Sequence, residues 1–157
     1  MKQKYWLFGP LILVQLIMVS FSPPLIKQRG DPDRIVGKWI TEKKNLIVQV
    51  YRSKNEYRAK VLWFNDKDDL SRPMNVRTDY HNPDPALRDR KLIGMEVLKK
   101  LTYNNGTDSW EKGTIYDAQH GKEWSSYAYL TDDGLLRVTG YWQFKFISKS
   151  MDFNRIK

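Results

Sequence analysis

The chain contains no cysteine, only two histidines and none of the common catalytic motifs. Without cysteine there is no disulfide bond, no lipid-modified cysteine and no thiol nucleophile. The two imidazoles, His81 and His120, lie beside turn residues, which favours surface positions over metal ligation. A Gly-x-Ser-x-Gly elbow, a His-Glu-x-x-His pair and a glycine-rich phosphate loop are also missing. We therefore predict no catalytic residue, no metal site and no cofactor, and a fold that depends on its hydrophobic core.

One long apolar run is present, over residues 5–21, and it follows the basic segment Met1-Lys2-Gln3-Lys4. This order is typical of a secretory signal peptide. Ser20-Phe21-Ser22 offers the small residues that a signal peptidase prefers, whereas Pro23 directly after them is unfavourable for cleavage. The run is also at the short limit for spanning a bilayer. We therefore predict a signal peptide over residues 1–22 and export to the periplasm or cell envelope, with an uncleaved N-terminal membrane anchor as the alternative.

Behind the predicted signal peptide, the sequence predicts a short linker, 23–33, and a single β-rich domain, 34–157. Short β-branched or aromatic segments alternate with turn residues such as Asn104-Asn105-Gly106 and Asp132-Asp133-Gly134. The predicted strands are 34–42, 45–52, 57–64, 91–101, 109–117, 122–131, 135–142 and 146–155. The segment 91–101 also partly fits a helical period, but its neighbours favour a strand. About eight strands without a long helix predict an all-β fold, a small antiparallel up-and-down β-barrel, because closure removes unpaired strand edges.

Alternation within the strands indicates which face lies inside the barrel. From Tyr57 to Trp63, apolar residues occupy every second position, and Arg58 and Lys60 lie between them. The same pattern places small residues at the centre of the interior and large aromatic residues near its rim. Lys149 falls on the apolar face of the last strand, either near a barrel mouth or through an error of register. The predicted ligand-binding residues are Tyr57, Trp63, Trp124 and Trp142.

One segment, residues 65–90, has no clear periodicity and is too long for an ordinary turn. Loops of this length in compact domains are usually functional or disordered. The run Asn82-Pro83-Asp84-Pro85 is stiff, since each proline fixes its own φ and restricts the residue before it. We expect the second half of the segment to be ordered and to lie across the barrel as a lid or plug. The alternative is a structural connector in which Asp84 and Arg88 pair with each other or cap backbone groups.

Five short motifs, taken together, resemble a bacterial family of exported proteins known as domain of unknown function 2147. They are Gly37-Lys38-Trp39, Asn82–Arg90, Leu92-Ile93-Gly94, Gly113–Asp117 with Gly121-Lys122, and Arg137–Tyr141. Their order and spacing also agree with that family over nearly the whole predicted domain. The resemblance implies a small lipocalin-type barrel, but it brings no activity with it.

The resemblance also implies roles for particular residues. Trp39 would close one end of the barrel, and the guanidinium of Arg155 would stack on its indole. Some members of the family carry a cysteine pair where this chain has Ile93 and Ser126, so any disulfide or redox role of that pair is absent here. We predict structural rather than catalytic roles for the motif residues Gly37, Trp39, Asn82, Asp84, Arg88, Asp117, Gly121, Lys122 and Arg155.

The formal net charge is +9, yet basic and acidic residues are interleaved along the chain. The densest basic cluster, Arg88, Arg90 and Lys91, is interrupted by Asp89. Together with the predicted export, this pattern argues against nucleic-acid binding and is compatible with a position close to a membrane surface. The sequence does not determine the oligomeric state.

Three classes of function remain. A barrel in the cell envelope that binds a small apolar or amphiphilic ligand agrees best with the predicted export, fold and aromatic lining. The second class is a structural or interaction protein of the envelope with a filled barrel. The third is a small hydrolase or isomerase that uses a carboxylate, such as Asp84 or Asp117, as its base. The first two differ in whether the barrel interior is empty, which the number of strands does not determine.

Overall fold

The computed structural model describes residues 30–142 and 144–156. The predicted signal peptide and most of the predicted linker lie outside these residues. Eight strands and two short 3-10 helices, Pro32–Ile35 and Pro85–Leu87, make up the described chain. The strands are β1 (Gly37–Thr41), β2 (Leu46–Ser53), β3 (Glu56–Phe64), β4 (Glu96–Asn104), β5 (Ser109–Asp117), β6 (Lys122–Leu130), β7 (Leu136–Trp142) and β8 (Phe144–Ile156).

All eight strands belong to one sheet that closes on itself. Each strand runs antiparallel to the next along the chain, and β8 pairs with β1, with Lys38 opposite Ile156 and Thr41 opposite Phe153. The predicted antiparallel up-and-down β-barrel is therefore confirmed. No helix within the described ranges has the length and apolar character needed to cross a membrane.

The predicted starts of two strands are wrong. β4 begins at Glu96 rather than at residue 91, because Leu92–Met95 forms a turn in which Gly94 has a φ of +83°. Glycine adopts this left-handed conformation without the penalty of a Cβ. At the first strand, Pro32 starts a 3-10 helix that ends at Ile35, since the fixed φ of proline suits the first position of a helix. β1 therefore begins later than predicted.

The strand directions define two ends of the barrel. The start of β1 and the turns after β2, β4 and β6 lie at one end, called the closed end below. The 3-10 helix Pro32–Ile35 covers it, and Trp39 and Trp110 donate their indole N–H groups to carbonyl oxygens of this helix at 2.9 and 3.1 Å. The fully buried side chains at this end include Ile35, Trp39, Leu101 and Trp110. The opposite, open end carries the long loop, residues 65–95, which joins β3 to β4.

Two irregular positions interrupt the alternation of β4 and β5. Lys100 and Lys112 have left-handed backbone conformations, with φ values of 61° and 60°, and the pairing register shifts near each of them. Leu98 and Leu101 consequently are both buried in the core although they are three residues apart. An inserted residue of this kind bends a strand and increases its twist, which helps a sheet to close.

Candidate functional site

The inward face of the barrel is buried at the closed end and reaches solvent at the open end. On β7 and β8 the inward residues face each other in the pairs Leu136 and Phe153, Val138 and Met151, and Gly140 and Lys149. Phe153 is 4% exposed, whereas Met151 is 38% exposed on the same face. The residues between them, Arg137 and Asp152, form an ion pair on the other face of the sheet, with an Nη2–Oδ2 distance of 2.6 Å. Exposure on the inward face of β8 therefore increases toward the open end.

Lys149 lies on this inward face, one pair closer to the open end than Met151. Its side chain is exposed, and within the described residues it makes no hydrogen bond or ion pair. Of the two explanations for a lysine on the apolar face, the position near a barrel mouth is confirmed. An ammonium group at such a position stays hydrated while its aliphatic stem extends along the apolar wall.

Three of the predicted ligand-binding residues lie at the open end. The rings of Trp124 and Trp142 meet edge to face with 5.8 Å between their centroids, and Trp142 is 50% exposed. Trp63 is half-buried near the end of β3. Tyr57 lies instead at the closed end, where it is fully buried and donates its hydroxyl to Asp33 Oδ1 at 2.6 Å. The structure thus separates Tyr57 from the three tryptophans.

Small residues line the middle of the interior. Ser126 and Ala128 on β6 are fully buried, and the Ser126 hydroxyl has no hydrogen-bond partner within the described part of the chain. A Cβ on Gly113 would lie 2.6 Å from the Leu101 side chain and 2.8 Å from the Ser126 hydroxyl. The missing side chain at Gly113 therefore makes room for Leu101. From this level to the closed end the inward side chains are buried.

A buried carboxylate anchors the long loop, and the sequence analysis missed it. Asp79 is fully buried and accepts hydrogen bonds from Asn82 Nδ2 at 2.6 Å, Arg90 Nη2 at 2.7 Å and the Tyr116 hydroxyl at 2.7 Å. Burial and the hydrogen bond to Asp79 raise the pKa of Tyr116 to about 12. Because Tyr116 belongs to β5, Asp79 connects the two motifs that were recognised separately in the sequence. Asp79 itself precedes the first of them and has no local pattern that would indicate burial.

Within the long loop, Asp84 and Arg88 bind backbone groups. Asp84 accepts the Ala86 N–H at 3.0 Å and caps the 3-10 helix Pro85–Leu87, and Arg88 donates its Nε to the Asn82 carbonyl at 2.9 Å. Both side chains are exposed. The geometry is that of a structural connector that caps its own backbone.

The β5–β6 turn forms the surface on which the long loop rests. Gly121 has a φ of +62°, and a Cβ at this position would lie 1.9 Å from the carbonyl oxygen of His81. Asp117 accepts a backbone N–H of the turn at 3.0 Å and contacts His120 Nδ1 at 2.7 Å. Lys122 is exposed and faces Asp117 across the strand pair. These motif residues hold the turn against the loop.

Arg155 crosses the closed end. Its guanidinium carbon lies 4.2 Å from the centroid of the Trp39 ring, and its Nη1 donates to the Val36 carbonyl at 2.9 Å. A Cβ on Gly37, whose φ is +145°, would lie 2.6 Å from that nitrogen. Gly37 therefore leaves space for the cation–π contact that the family resemblance implied.

The described ranges contain no group of three or more histidine, cysteine, aspartate or glutamate side chains placed to hold a metal ion. The carboxylates considered as bases, Asp84 and Asp117, both accept hydrogen bonds from turn groups. The inward face toward the open end carries the tryptophans Trp124 and Trp142, the buried Ser126 hydroxyl and the Lys149 amine.

A family model for DUF2147, described as an uncharacterized protein conserved in bacteria, matches residues 37–155. The chain belongs to this family. The matched range starts at Gly37 and ends at Arg155, the two residues that meet at the closed end, so it spans the barrel. The resemblance read from the sequence motifs is confirmed. No curated protein matches the chain.

Among solved structures, this DUF2147 protein is similar to protein HP1028 from the human pathogen Helicobacter pylori, which is described as belonging to the lipocalin family. The two are 21% identical, and the alignment covers 78% of this chain and 82% of that chain with a TM-score of 0.66. At this level of identity the likeness shows a shared fold. The barrel is lipocalin-like.

Proposed function

We propose that this DUF2147 protein binds a small apolar or amphiphilic ligand in the open half of its barrel. The observation that carries the proposal is the contrast between the two ends, with inward residues buried at the closed end and Met151 38% exposed toward the open end. Apolar surface inside a barrel that is left accessible to water favours the binding of an apolar group, because its burial is favourable.

The residues around this space support an amphiphile. Trp124 and Trp142 supply flat apolar walls, and Ser126 supplies one polar group deep in the interior. Apolar and aromatic lining with few polar groups is typical of small-molecule sites. The apolar body of the ligand would lie against the tryptophans, and its polar head would lie near Lys149 at the mouth.

Binding should change tryptophan emission, because Trp124 and Trp142 line the proposed site. Titration with fatty acids and other amphiphiles is expected to give a saturable shift or quench at micromolar concentrations. Met151→Trp places a large ring in the open half and should abolish binding of a fluorescent amphiphile. Ser148→Trp is the matched control, since it adds the same ring on the outward face of β8, and it should leave binding unchanged.

Two results would contradict the proposal. The first is the absence of a saturable response across the panel together with purified protein that contains no co-extracted small molecule. The second is an equal loss of probe binding in the two tryptophan variants, because that outcome would place the probe outside the barrel interior.

We also propose export to the periplasm or cell envelope, directed by residues 1–22. The support is the basic segment followed by an apolar run at the start of the chain. Intact-mass analysis of the exported protein is expected to show an N-terminus between Phe21 and Leu25. Recovery of the full-length chain from the membrane fraction would instead indicate the uncleaved anchor.

A second candidate is an interaction protein of the envelope, and the exposed apolar side chains of the long loop favour it. Leu70 is 80% exposed, Tyr80 71% and Val76 47%. Apolar side chains grouped in one exposed segment are a common feature of contact sites. On this alternative, replacing Leu70 and Tyr80 with serine should weaken sedimentation with envelope membranes, while amphiphile binding by the barrel stays the same.

A further inference from the structure

A second concave site, outside the barrel, lies where the long loop returns to β4. The pocket has a volume of about 410 Å³, within the range typical of small-molecule sites. Three cationic side chains, one carboxylate and two apolar side chains line it: Arg90, Lys91, Lys99, Glu96, Ile93 and Met95. Leu98 is buried in the core, so its neighbour Lys99 points to the outer face of the strand. Lys99 therefore faces away from the barrel interior.

The floor of the pocket is built by the turn Leu92–Met95. The Met95 N–H donates to the Leu92 carbonyl, and Gly94 takes the left-handed conformation at the third position of the turn. A Cβ on Gly94 would meet no atom within 4 Å. The space above this turn is consequently open to a bound molecule, and the backbone is held in place by a hydrogen bond from the Gly94 N–H to the Val61 carbonyl at 2.8 Å.

The single carboxylate of the lining is already bound by other groups. Glu96 accepts the Tyr51 hydroxyl, and its Oε2 lies 3.2 Å from Arg58 Nη1. The Tyr51 hydrogen bond and the charges of Arg58 and Lys99 lower the pKa of Glu96, so this carboxylate stays ionised. Among the lining side chains the three cations outnumber the single carboxylate, although Arg90 is also paired with Asp79.

The cations keep donors free for a ligand. Arg90 uses Nη2 for Asp79 at 2.7 Å, and one third of its side chain is exposed. Lys91 donates to the Val76 carbonyl at 3.2 Å, which leaves two of its three N–H groups. Lys99 makes no hydrogen bond or salt bridge in the described part of the chain. A planar guanidinium beside two ammonium groups is a combination that suits an oxyanion with more than one charge.

We propose that this pocket binds a phosphate monoester, with the phosphate among Arg90, Lys91 and Lys99 and the organic part against Ile93 and Met95. The same chemistry occurs in a soluble sugar or glycerol phosphate and in the headgroup of phosphatidic acid. The pocket contains none of the residues named for the proposed amphiphile site, which are Trp124, Ser126, Trp142, Lys149 and Met151, so the two sites can be tested separately.

Glycerol 1-phosphate and vesicles of phosphatidic acid are the probes that test it, with phosphatidylcholine vesicles and sodium sulfate at equal ionic strength as controls. For the soluble probe, backbone amide NMR shifts of Gly94, Met95 and Lys99 should move and saturate. The double variant Lys91→Gln with Lys99→Gln should weaken binding by at least about tenfold, since charge-assisted hydrogen bonds contribute of that order. Lys38→Gln, on the exposed face of β1, is the matched control for loss of positive charge and should bind normally.

Saturation by glycerol phosphate supports a soluble ligand, and binding only to phosphatidic acid vesicles, lost in the double variant, supports the lipid headgroup. Three results overturn the proposal: no saturable binding of either probe, shifts that sulfate reproduces, or an equal loss of binding in Lys38→Gln. The double variant should leave the amphiphile titration of the barrel interior unchanged, so the two proposals are tested independently.

Discussion

Asp79 is a carboxylate without solvent contact, and its charge is balanced by Arg90 and by the hydroxyl and amide donors of Tyr116 and Asn82. Asp79→Asn removes the charge and leaves Arg90 without its partner. We expect the free energy of unfolding to fall by about 2–4 kcal/mol, the order found when one member of a buried, hydrogen-bonded pair is lost. Urea denaturation followed by circular dichroism measures this change.

Asp89→Asn provides the control, because Asp89 is exposed in the same loop and the substitution removes the same charge. It should change the unfolding free energy by less than about 0.5 kcal/mol. If the two variants unfold at the same urea concentration, Asp79 does not anchor the loop.

Three tyrosines, Tyr51, Tyr57 and Tyr116, have a raised pKa in the folded protein. Burial is the larger cause and a hydrogen bond to a carboxylate the second, and together they raise the pKa of each to about 12. The unfolded chain releases these protons near pH 10, whereas the folded protein still holds them. The stabilisation that these three tyrosines contribute is thus fully present below pH 10 and is lost as the pH rises from about 10 to 12.

Tyrosinate absorbance during an alkaline titration of the folded protein checks this expectation. A set of tyrosines should titrate late, and thermal unfolding should shift to lower temperature between pH 10 and 12. Tyr57→Phe should reduce the number of late-titrating groups by one. Titration of all tyrosines near pH 10 in the folded state would contradict the prediction.

At the scale of structural elements, the contact between the long loop and the β5–β6 turn depends on one glycine. Gly121→Ala adds a Cβ 1.9 Å from the His81 carbonyl oxygen at a position with φ +62°. The backbone strain costs about 1 kcal/mol and the overpacking a further 1–3 kcal/mol. We expect the loop to move away from the turn and the unfolding free energy to fall by the sum of these effects.

Gly134→Ala is a close control, because Gly134 also has a positive φ, +85°, but a Cβ there meets no atom within 4 Å. In this variant the unfolding free energy should fall only by the cost of the backbone strain. Equal losses of stability in the two variants would mean that the loop does not press on the turn at Gly121.

Strand positions followed from the sequence where turns were marked by residues that tolerate a positive φ. The predicted segment 109–117 coincides with β5, and 122–131 exceeds β6 by one residue. Prediction failed at β4, because the turn at Gly94 is formed with groups of the distant β3 that no local pattern shows. The sequence also did not predict the irregular positions of β4 and β5 at Lys100 and Lys112, because an alternation with a period of two assumes a regular strand.

At the scale of the molecule, closure of the barrel could be predicted because a run of short strands without helices leaves edges that must be paired. The candidate site was predictable only in part. Alternation correctly indicated that Tyr57 points inward, but it does not tell at which depth a residue lies, and Tyr57 belongs to the closed end. The half-open interior and the Asp79 network arise from contacts between distant segments, which the order of residues does not display.

The pairing of β1 with β8 has a consequence for how the chain could be connected. Gly37 and Ile156 lie at the same end of neighbouring strands, so a linker from Ile156 to the segment ahead of the 3-10 helix Pro32–Ile35 would complete a ring and keep that helix in place. The exposed turn between β6 and β7 could then supply new termini without breaking any strand pair. In that circular permutant the β1–β8 pair becomes local in sequence, and the most distant contact moves to the β6–β7 pair. The order in which the strands assemble would therefore change while the barrel stays the same.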